Sequence, residues 1–298
     1  MSVKPKVRKA VIPAAGLGTR LLPVTKTIPK ELLLVVDRPA TQYVVEEAVA
    51  AGIEEIIFVI SRNKESIGDY FTPNRDLDEW LAAQGKGSLV TPLNQLLARI
   101  RTTCVYQDQP RGLGHAVLCA QEAVGEEPCI VILPDDLGEA DPPLAVQMMR
   151  VYEQTGTGVV ALERIPRNEI HRYGVIAGHE RQPRTYEITD MVEKPPPGTE
   201  PSDLAIIGRY ILPPEIFPIL HHVQPGAGGE IQLTDGLRQL RQQHGLYGYE
   251  FTGRRHDVGT TLGFLETTLR LGLHNPTTRD RMRVLLRELR DEIDNNQK

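Results

Sequence analysis

The order of apolar and helical stretches in the first half of the chain predicts an α/β fold built on a doubly wound, mostly parallel central sheet. Three observations carry this. Short continuous apolar runs, not alternating ones, recur at 10–13, 55–61, 103–107 and 129–133, as strands buried on both faces do. Helical stretches lie between them, at 42–51 and 114–124. The polar residues able to carry chemistry, the loop around Gly16 and the pair Asp135-Asp136, directly follow such runs. Strand carboxyl ends are where open α/β sheets bind ligands.

Each element has its own local reason. Ala10-Val11-Ile12 is a buried strand that opens into a glycine loop. The stretch 42–51 places Val45, Ala48 and Val49 on one helical face. Ile56-Ile57-Phe58-Val59-Ile60 is a second buried strand, 103–107 a third, and 129–133 a fourth. The helix at 114–124 is rich in alanine. The segment 70–95 reads as a connecting excursion, with Trp80 and Leu81 in part of a helix and Gly85-Lys86-Gly87 in a loop. After Gly156 the strands shorten, at 159–162, 174–177 and 187–192, with turns at Pro166-Arg167-Asn168 and Arg181-Gln182-Pro183. Pro195-Pro196-Pro197-Gly198 stops a strand. This texture predicts a mixed, partly antiparallel sheet continuing the first, in one domain over 1–275. The tail 276–298 reads as an amphipathic helix, with Met282, Leu285, Leu286 and Leu289 at helical spacing. Such a helix docks on its own fold or serves a subunit contact.

Composition bounds the function. At 298 residues, with 40% hydrophobic and 24% charged residues, the chain buries a core without staples. A net charge of -5 excludes a global basic field for nucleic acid, so any polyanion must be met by local clusters. Cys104, Cys119 and Cys129 lack the spacing of a disulfide framework or zinc site, and Cys119 and Cys129 read as small buried hydrophobes. The polar, basic start Met1–Lys9 does not read as a leader, so none is expected, and no apolar run reaches the length of a membrane span. The expectation is a cytoplasmic protein.

The chemistry-bearing residues begin with Ala14-Ala15-Gly16-Leu17-Gly18-Thr19-Arg20 and Pro29-Lys30-Glu31. Glycines let backbone N–H groups approach phosphate oxygens, and Arg20 and Lys30 bring positive charge. A tight turn is the structural alternative. The loop fits neither the dinucleotide fingerprint, because Leu21 stands where a small residue belongs, nor the P-loop. Asp135 and Asp136 end a strand beside this loop, as Mg²⁺ ligands that share the ion with phosphates do, or as a plain solvated turn does. Asp257 precedes Gly259 in a turn that either meets a ligand or caps the helix after Leu262. Gln107 offers a donor and an acceptor for a base edge, near a glycine turn, Gly112-Leu113-Gly114-His115, whose helix start is suited to an anion or base. There His115 orders the helix start rather than acting as a base. Glu193-Lys194-Pro195 ends another strand, where Pro195 favours an extended Lys194.

Eight motifs then occur in order: Gly16-Leu17-Gly18-Thr19-Arg20, Pro29-Lys30-Glu31, Gln42-Tyr43-Val44-Val45-Glu46-Glu47-Ala48, Gly112-Leu113-Gly114-His115-Ala116-Val117, Leu133-Pro134-Asp135-Asp136, Glu193-Lys194-Pro195, Gly208-Arg209-Tyr210 and Gly229-Glu230-Ile231-Gln232-Leu233-Thr234-Asp235. Over roughly residues 8–270 the chain resembles the sugar nucleotidyltransferases, and within them the bacterial UTP–glucose-1-phosphate uridylyltransferases. The resemblance implies a Rossmann-like nucleotide-diphospho-sugar transferase fold, with a nucleotide-binding half over 8–155, a smaller sugar-binding lobe over 156–275 and C-terminal helices. It implies Mg²⁺-dependent in-line synthesis of UDP-glucose and pyrophosphate from UTP and α-D-glucose 1-phosphate, without nucleic acid or membrane, by a homodimer or homotetramer. Carried over by position, Ala14, Ala15, Gly16, Gly18, Thr19, Glu31, Gln107 and Gly112 would bind nucleotide. Arg20 and Lys30 would act on the triphosphate, and Lys194 on the sugar phosphate. Gly174, Glu193 and Gly208 would line the sugar, and Asp135 and Asp257 would hold the metal. The chain departs from the family pattern at Leu34, Thr41 and Thr261. A thymidylyltransferase, another sugar-1-phosphate nucleotidyltransferase or a catalytically silent regulatory relative fits the same residues.

Overall fold

A nine-stranded mixed sheet organises the computed structural model, which describes residues 5–226 and 229–296. The first half contributes β1 (Lys9–Pro13), the short pair β2 (Leu34–Val35) and β3 (Arg38–Pro39), then β4 (Glu55–Ile60), β5 (Arg101–Tyr106), β6 (Cys129–Ile132) and β7 (Asp136–Glu139). The second half contributes β8 (Gly158–Arg164), β9 (Gly174–Gln182), β10 (Thr185–Glu193), β11 (Leu204–Leu212), β12 (Leu246–Glu250) and β13 (Arg254–Asp257). Spatially the large sheet runs β5-β4-β1-β6-β11-β8-β12-β10-β9. β1 pairs in parallel with β4 and β6, and β4 with β5, as continuous apolar strands require. β11 enters antiparallel between β6 and β8 and joins the two halves. Ala205 of β11 also pairs with Val175 of β9, which closes β8, β12, β10, β9 and β11 into a ring. β7 and β13 form a separate antiparallel ladder.

Side chains alternate between two cores on the two faces of this sheet. Ala10, Ile12, Phe58, Ile130 and Ile132 face helices α1 (Ala40–Ala50) and α7 (Leu144–Thr155), while Val11, Ile57, Val59 and Val131 face the opposite layer. Between α1 and α7 in the chain lie α2 (Ser66–Tyr70), α3 (Arg75–Ala83), α4 (Thr91–Leu97), α5 (Leu113–Cys119) and α6 (Gln121–Val124); then follow α7 (Leu144–Thr155), α8 (Ile216–His222), α9 (Leu233–His244), α10 (Thr261–His274) and α11 (Arg279–Asn296). The opposite layer is built by α5, α8 and α9 through Val117, Phe217, Leu220, Leu237 and Leu240. Each such side chain contributes about 1.5–3 kcal/mol on burial.

Four features differ from expectation. In the excursion 70–95 the partial helix around Trp80 and Leu81 forms as α3, with the Asn74 side chain accepting the Leu77 N–H at 3.1 Å as its cap, but a second helix, α4, follows it. The helix expected over 114–124 divides at Ala120 into α5 and α6. The strand β11, a stretch where no strand was expected, is buried along all nine residues, with a register irregularity between Ile206 and Tyr210 around Gly208. Cys119 is half-buried rather than buried, with Sγ 3.7 Å from His115 Nδ1, whereas Cys129 is fully buried. The tail does form a helix, α11; its residues 297–298, like 1–4 of the N-terminal segment, lie outside the described residues. Among the described residues no helix is long and apolar enough to cross a membrane.

Candidate active site

β1 and β4 end side by side, and Ala14 N–H still donates to Val59 O at 2.7 Å before the chain turns. Gly18 adopts φ +66, a left-handed conformation that a Cβ would strain, and its carbonyl accepts from Thr25 Oγ1 at 2.9 Å. Gly16 is exposed, and a side chain there would project into open space. The loop is held from below by Lys64. Its Nζ donates to Ala14 O at 2.8 Å, Gly16 O at 2.7 Å and Glu31 Oε2 at 2.9 Å. Both partners of this ion pair are buried. Burial pulls the Lys64 ammonium down and pushes the Glu31 carboxyl up, with their mutual attraction offsetting each in part. Glu31 Oε1 is buried without a hydrogen-bond partner.

Lys30 reaches across to Asp135 Oδ2, in direct ion-pair contact. Burial would raise the Asp135 carboxyl, but Lys30, with a smaller contribution from Arg20, holds it below the ordinary range. Burial likewise works against the Lys30 ammonium, and Asp135, Glu31 and Asp257 together raise it. The β7–β13 ladder sets Asp257 opposite Asp136, and Val258 N–H donates to Asp135 O at 2.8 Å. Asp135 Oδ2 and Asp257 Oδ1 flank Gly259, where a Cβ would stand 2.9 Å from the first and 3.1 Å from the second. Asp257 does not cap the following helix: its Oδ1 accepts the Gly259 N–H at 2.8 Å, and Thr260 caps α10. Asp135 and Asp257 therefore converge, while Arg20 stands exposed on the short 3-10 turn Thr19–Leu21.

Asp136 has a structural role. Its Oδ2 accepts Gly208 N–H at 2.9 Å, and its Oδ1 faces Arg255 Nη1 at 3.4 Å. A Cβ on Gly208 would lie 2.7 Å from that Oδ2, so the glycine answers to Asp136. Two like charges directly opposite in a ladder repel, and Arg255 supplies the compensation. It also binds Glu163 at 2.6 Å and the Tyr173 hydroxyl at 2.9 Å, tying this end of the site to the strand that begins at Gly174.

At the other wall, Gln107 is buried and donates from Nε2 to Gly112 O at 3.2 Å and His115 Nδ1 at 2.9 Å. Burial and Arg111 lower the His115 pKa, consistent with a neutral ring that accepts. With the amide oriented by two acceptors, Gln107 Oε1 is the atom left for a ligand. Gly112 and Gly114 are glycines because chain presses on them: a Cβ would stand 2.7 Å and 2.8 Å from Ile231 O. Gly114 N–H donates to Ile231 O at 2.9 Å, and Ile231 N–H to Arg111 O at 2.8 Å. At the α5 start the Gly114 N–H is thus taken by this backbone contact, while Gly112 itself borders the cleft. Ala15, Gly16, Lys30, Glu31, Gln107, Gly112, Asp135 and Glu230 together line a cleft of about 330 Å³. A cavity of about 610 Å³ beside Gln42, Tyr70 and Asn94 contains none of the expected site residues.

Gly174, Glu193 and Thr234 form a second group. Glu193 Oε2 accepts from Thr234 Oγ1 at 2.6 Å, and a Cβ on Gly174 would stand 3.1 Å from the same oxygen. Lys194 is not extended. Its φ is +46, because its N–H donates to Tyr173 O at 3.0 Å while the chain leaves the ladder at Glu193. Its side chain is 60% exposed, with the ammonium 3.4 Å from Glu193 Oε1. Lys64 and Arg255 were not anticipated, while Glu230 and Thr234 belong to a motif that carried the resemblance but had no assigned role. Lys64 follows the carboxyl end of β4, a signal in principle legible, but Ser61-Arg62-Asn63-Lys64 reads as an ordinary polar loop.

The sequence profile of the Nucleotidyl transferase family matches residues 9–272. The UTP–glucose-1-phosphate uridylyltransferase of Bacillus subtilis is 46% identical over 277 residues, 93% of this chain and 95% of that protein. Among solved structures, the UTP-bound UGPase from Acinetobacter baumannii superposes with a TM-score of 0.88 at 39% identity, over 95% of this chain and all of that one. A UDP-glucose pyrophosphorylase complexed with UDP-glucose superposes with a TM-score of 0.83 at 41% identity, over 91% of this chain and all of that one.

Proposed function

The chain belongs to the nucleotidyl transferase family, and on that premise we propose that it transfers the uridylyl group of UTP to α-D-glucose 1-phosphate, giving UDP-glucose and pyrophosphate. The observation that carries this reading is the convergence of the Gly16 loop, Lys30 and the Asp135–Asp257 pair on one cleft. In the reaction an oxygen of the sugar phosphate attacks the α-phosphorus in line, and the bond from that phosphorus to the bridging oxygen of pyrophosphate breaks. Both reactants are anions, so approach and charge neutralisation are the central problem. Lys194 holds the sugar phosphate. Arg20 and Lys30 neutralise the triphosphate and the departing pyrophosphate, with Gly18 and Thr19 in the loop beneath them. Gly174, Glu193 and Gly208 border the sugar. On this division, the nucleotide-binding half spans about 8–155, the sugar-binding half about 156–275, and a C-terminal helix follows.

The base reading rests on acceptors. Gln107 Oε1 and the unpartnered Glu31 Oε1 suit the ring N–H of uracil or thymine, beside Ala14, Ala15, Gly16 and Gly112. Cytosine presents an acceptor at that ring position. The donor set also fits Mg²⁺, which takes one or two carboxylates and completes its shell with water and phosphate oxygens. Asp135 and Asp257 would hold it, and no third His, Cys, Asp or Glu joins them among the described residues. When bound it would neutralise phosphate charge between the two substrates. We further propose that the protein works in the cytoplasm and that it is a homodimer or homotetramer, the association being supported by an exposed apolar stripe on α10.

Pyrophosphate release is the test. Release that requires UTP, glucose 1-phosphate and Mg²⁺ together supports the reading. UTP binding without release would identify a regulatory protein instead. Comparing kcat/KM for UTP with that for dTTP decides between uridylyl and thymidylyl transfer.

A further inference from the structure

We infer that Lys30 occupies the Asp135 carboxylate in the free enzyme, closing it to divalent cations until a nucleoside triphosphate draws the ammonium away. This rests on the reading of the cleft as a nucleoside triphosphate and Mg²⁺ site. Lys30 Nζ contacts Asp135 Oδ2, the oxygen that faces Asp257 Oδ1 across Gly259. The ammonium therefore holds one of the two carboxylate oxygens that meet beside Gly259. Asp257 Oδ1 is itself engaged by the Gly259 N–H. A divalent cation arriving alone would have to displace Lys30 or stand beside its like charge. Two carboxylates without phosphate oxygens offer little in return.

The same lysine lines the cleft with Ala15 and Gly16, where a triphosphate would lie. Lysine is a point charge on a flexible four-carbon stem, suited to exchange one anion for another. A triphosphate carries several negative charges against the single charge of Asp135. Its arrival would draw Lys30 off the carboxylate and bring phosphate oxygens for the metal in one event. Metal and nucleotide would then strengthen each other's binding by the same factor.

Mn²⁺ is the probe, with the unbound ion counted by electron paramagnetic resonance and no sugar phosphate present. Wild-type protein should bind Mn²⁺ weakly alone. The expected effect of Lys30→Gln is about tenfold tighter Mn²⁺ binding without nucleotide, within the ordinary range of site coupling. Adding Asp135→Asn should abolish that gain. Lys30→Arg, which keeps the charge and grips a carboxylate with two N–H groups, should bind Mn²⁺ no tighter than wild type. The inference is overturned by unchanged or weaker Mn²⁺ binding in Lys30→Gln, by a gain that survives Asp135→Asn, or by tighter binding in Lys30→Arg. The arginine variant keeps the test decisive if the glutamine variant does not fold. Failure of wild-type protein to bind UTP at any Mn²⁺ concentration would instead overturn the nucleotide reading.

Discussion

Lys64 shows how much one ammonium can organise: it joins two loop carbonyls to the Glu31 carboxylate beneath the candidate nucleotide cleft. Removing one partner of a buried pair leaves an uncompensated charge and costs about 3–5 kcal/mol. Lys64→Met should therefore lose about that much stability in urea denaturation and raise the KM for UTP, and Glu31→Leu added to it should recover part of the stability. Lys194 is mostly exposed, so its removal tests binding and not folding. Lys194→Ala should raise the KM for glucose 1-phosphate about 10-fold or more, the scale of a charged hydrogen bond, with the KM for UTP little changed. An unaltered sugar-phosphate KM would remove Lys194 from this role. At Gln107, the acceptor facing the cleft predicts that CTP falls below UTP in kcat/KM by about 100-fold or more. Equal use of the two nucleotides would refute that assignment.

Elements act here by pressing backbone against backbone. The motifs Gly112-Leu113-Gly114-His115 and Gly229-Glu230-Ile231-Gln232 are far apart in sequence but are two sides of one contact, through Ile231. Gly114→Ala would set a Cβ 2.8 Å from Ile231 O, and overpacking of this kind costs about 1–3 kcal/mol. The expected result is a displaced 229–232 segment, read as lower melting temperature and a raised KM for UTP. Unchanged values of both would show that the segment yields freely. In β11 the register shifts between Ile206 and Tyr210, and Gly208 N–H goes to Asp136 instead of the ladder. The adjacent Arg209 is fully buried and paired twice with Glu47 of α1, at 3.1 Å and 2.8 Å. One strand thus fixes the candidate metal end of the site against both a helix and a neighbouring ladder.

For the whole molecule, β11 is the seam between a parallel half and a closed ring of strands, and Gly208 of that seam meets Asp136 beside the candidate metal end. The apolar surface lies elsewhere. Leu262, Leu265 and Leu269 form an exposed stripe on α10, and Leu22 and Leu34 are exposed beside its start. Apolar groupings of this kind mark association surfaces. Leu265→Glu should lower the molar mass measured by light scattering on a sizing column. A mass equal to one chain in the unmutated protein would refute the proposed oligomer.

Local patterns determined the parallel half. Ala10-Val11-Ile12, Ile56-Ile57-Phe58-Val59-Ile60 and Cys129-Ile130-Val131-Ile132 are apolar without interruption, and only a strand covered on both faces wants that. The family too was legible, because its motifs are short and colinear. What the tertiary structure alone decided is how charges are matched. Nothing local pairs Lys64 with Glu31, Arg209 with Glu47 or Arg255 with Asp136, since each pair is brought together only when elements distant in the chain assemble. β11 was hidden for the same reason: an arginine inside an apolar run is not legible as buried until its distant carboxylate is in place. Hydrophobic periodicity is written along the chain, whereas the neutralisation of a buried charge is a property of the assembled fold.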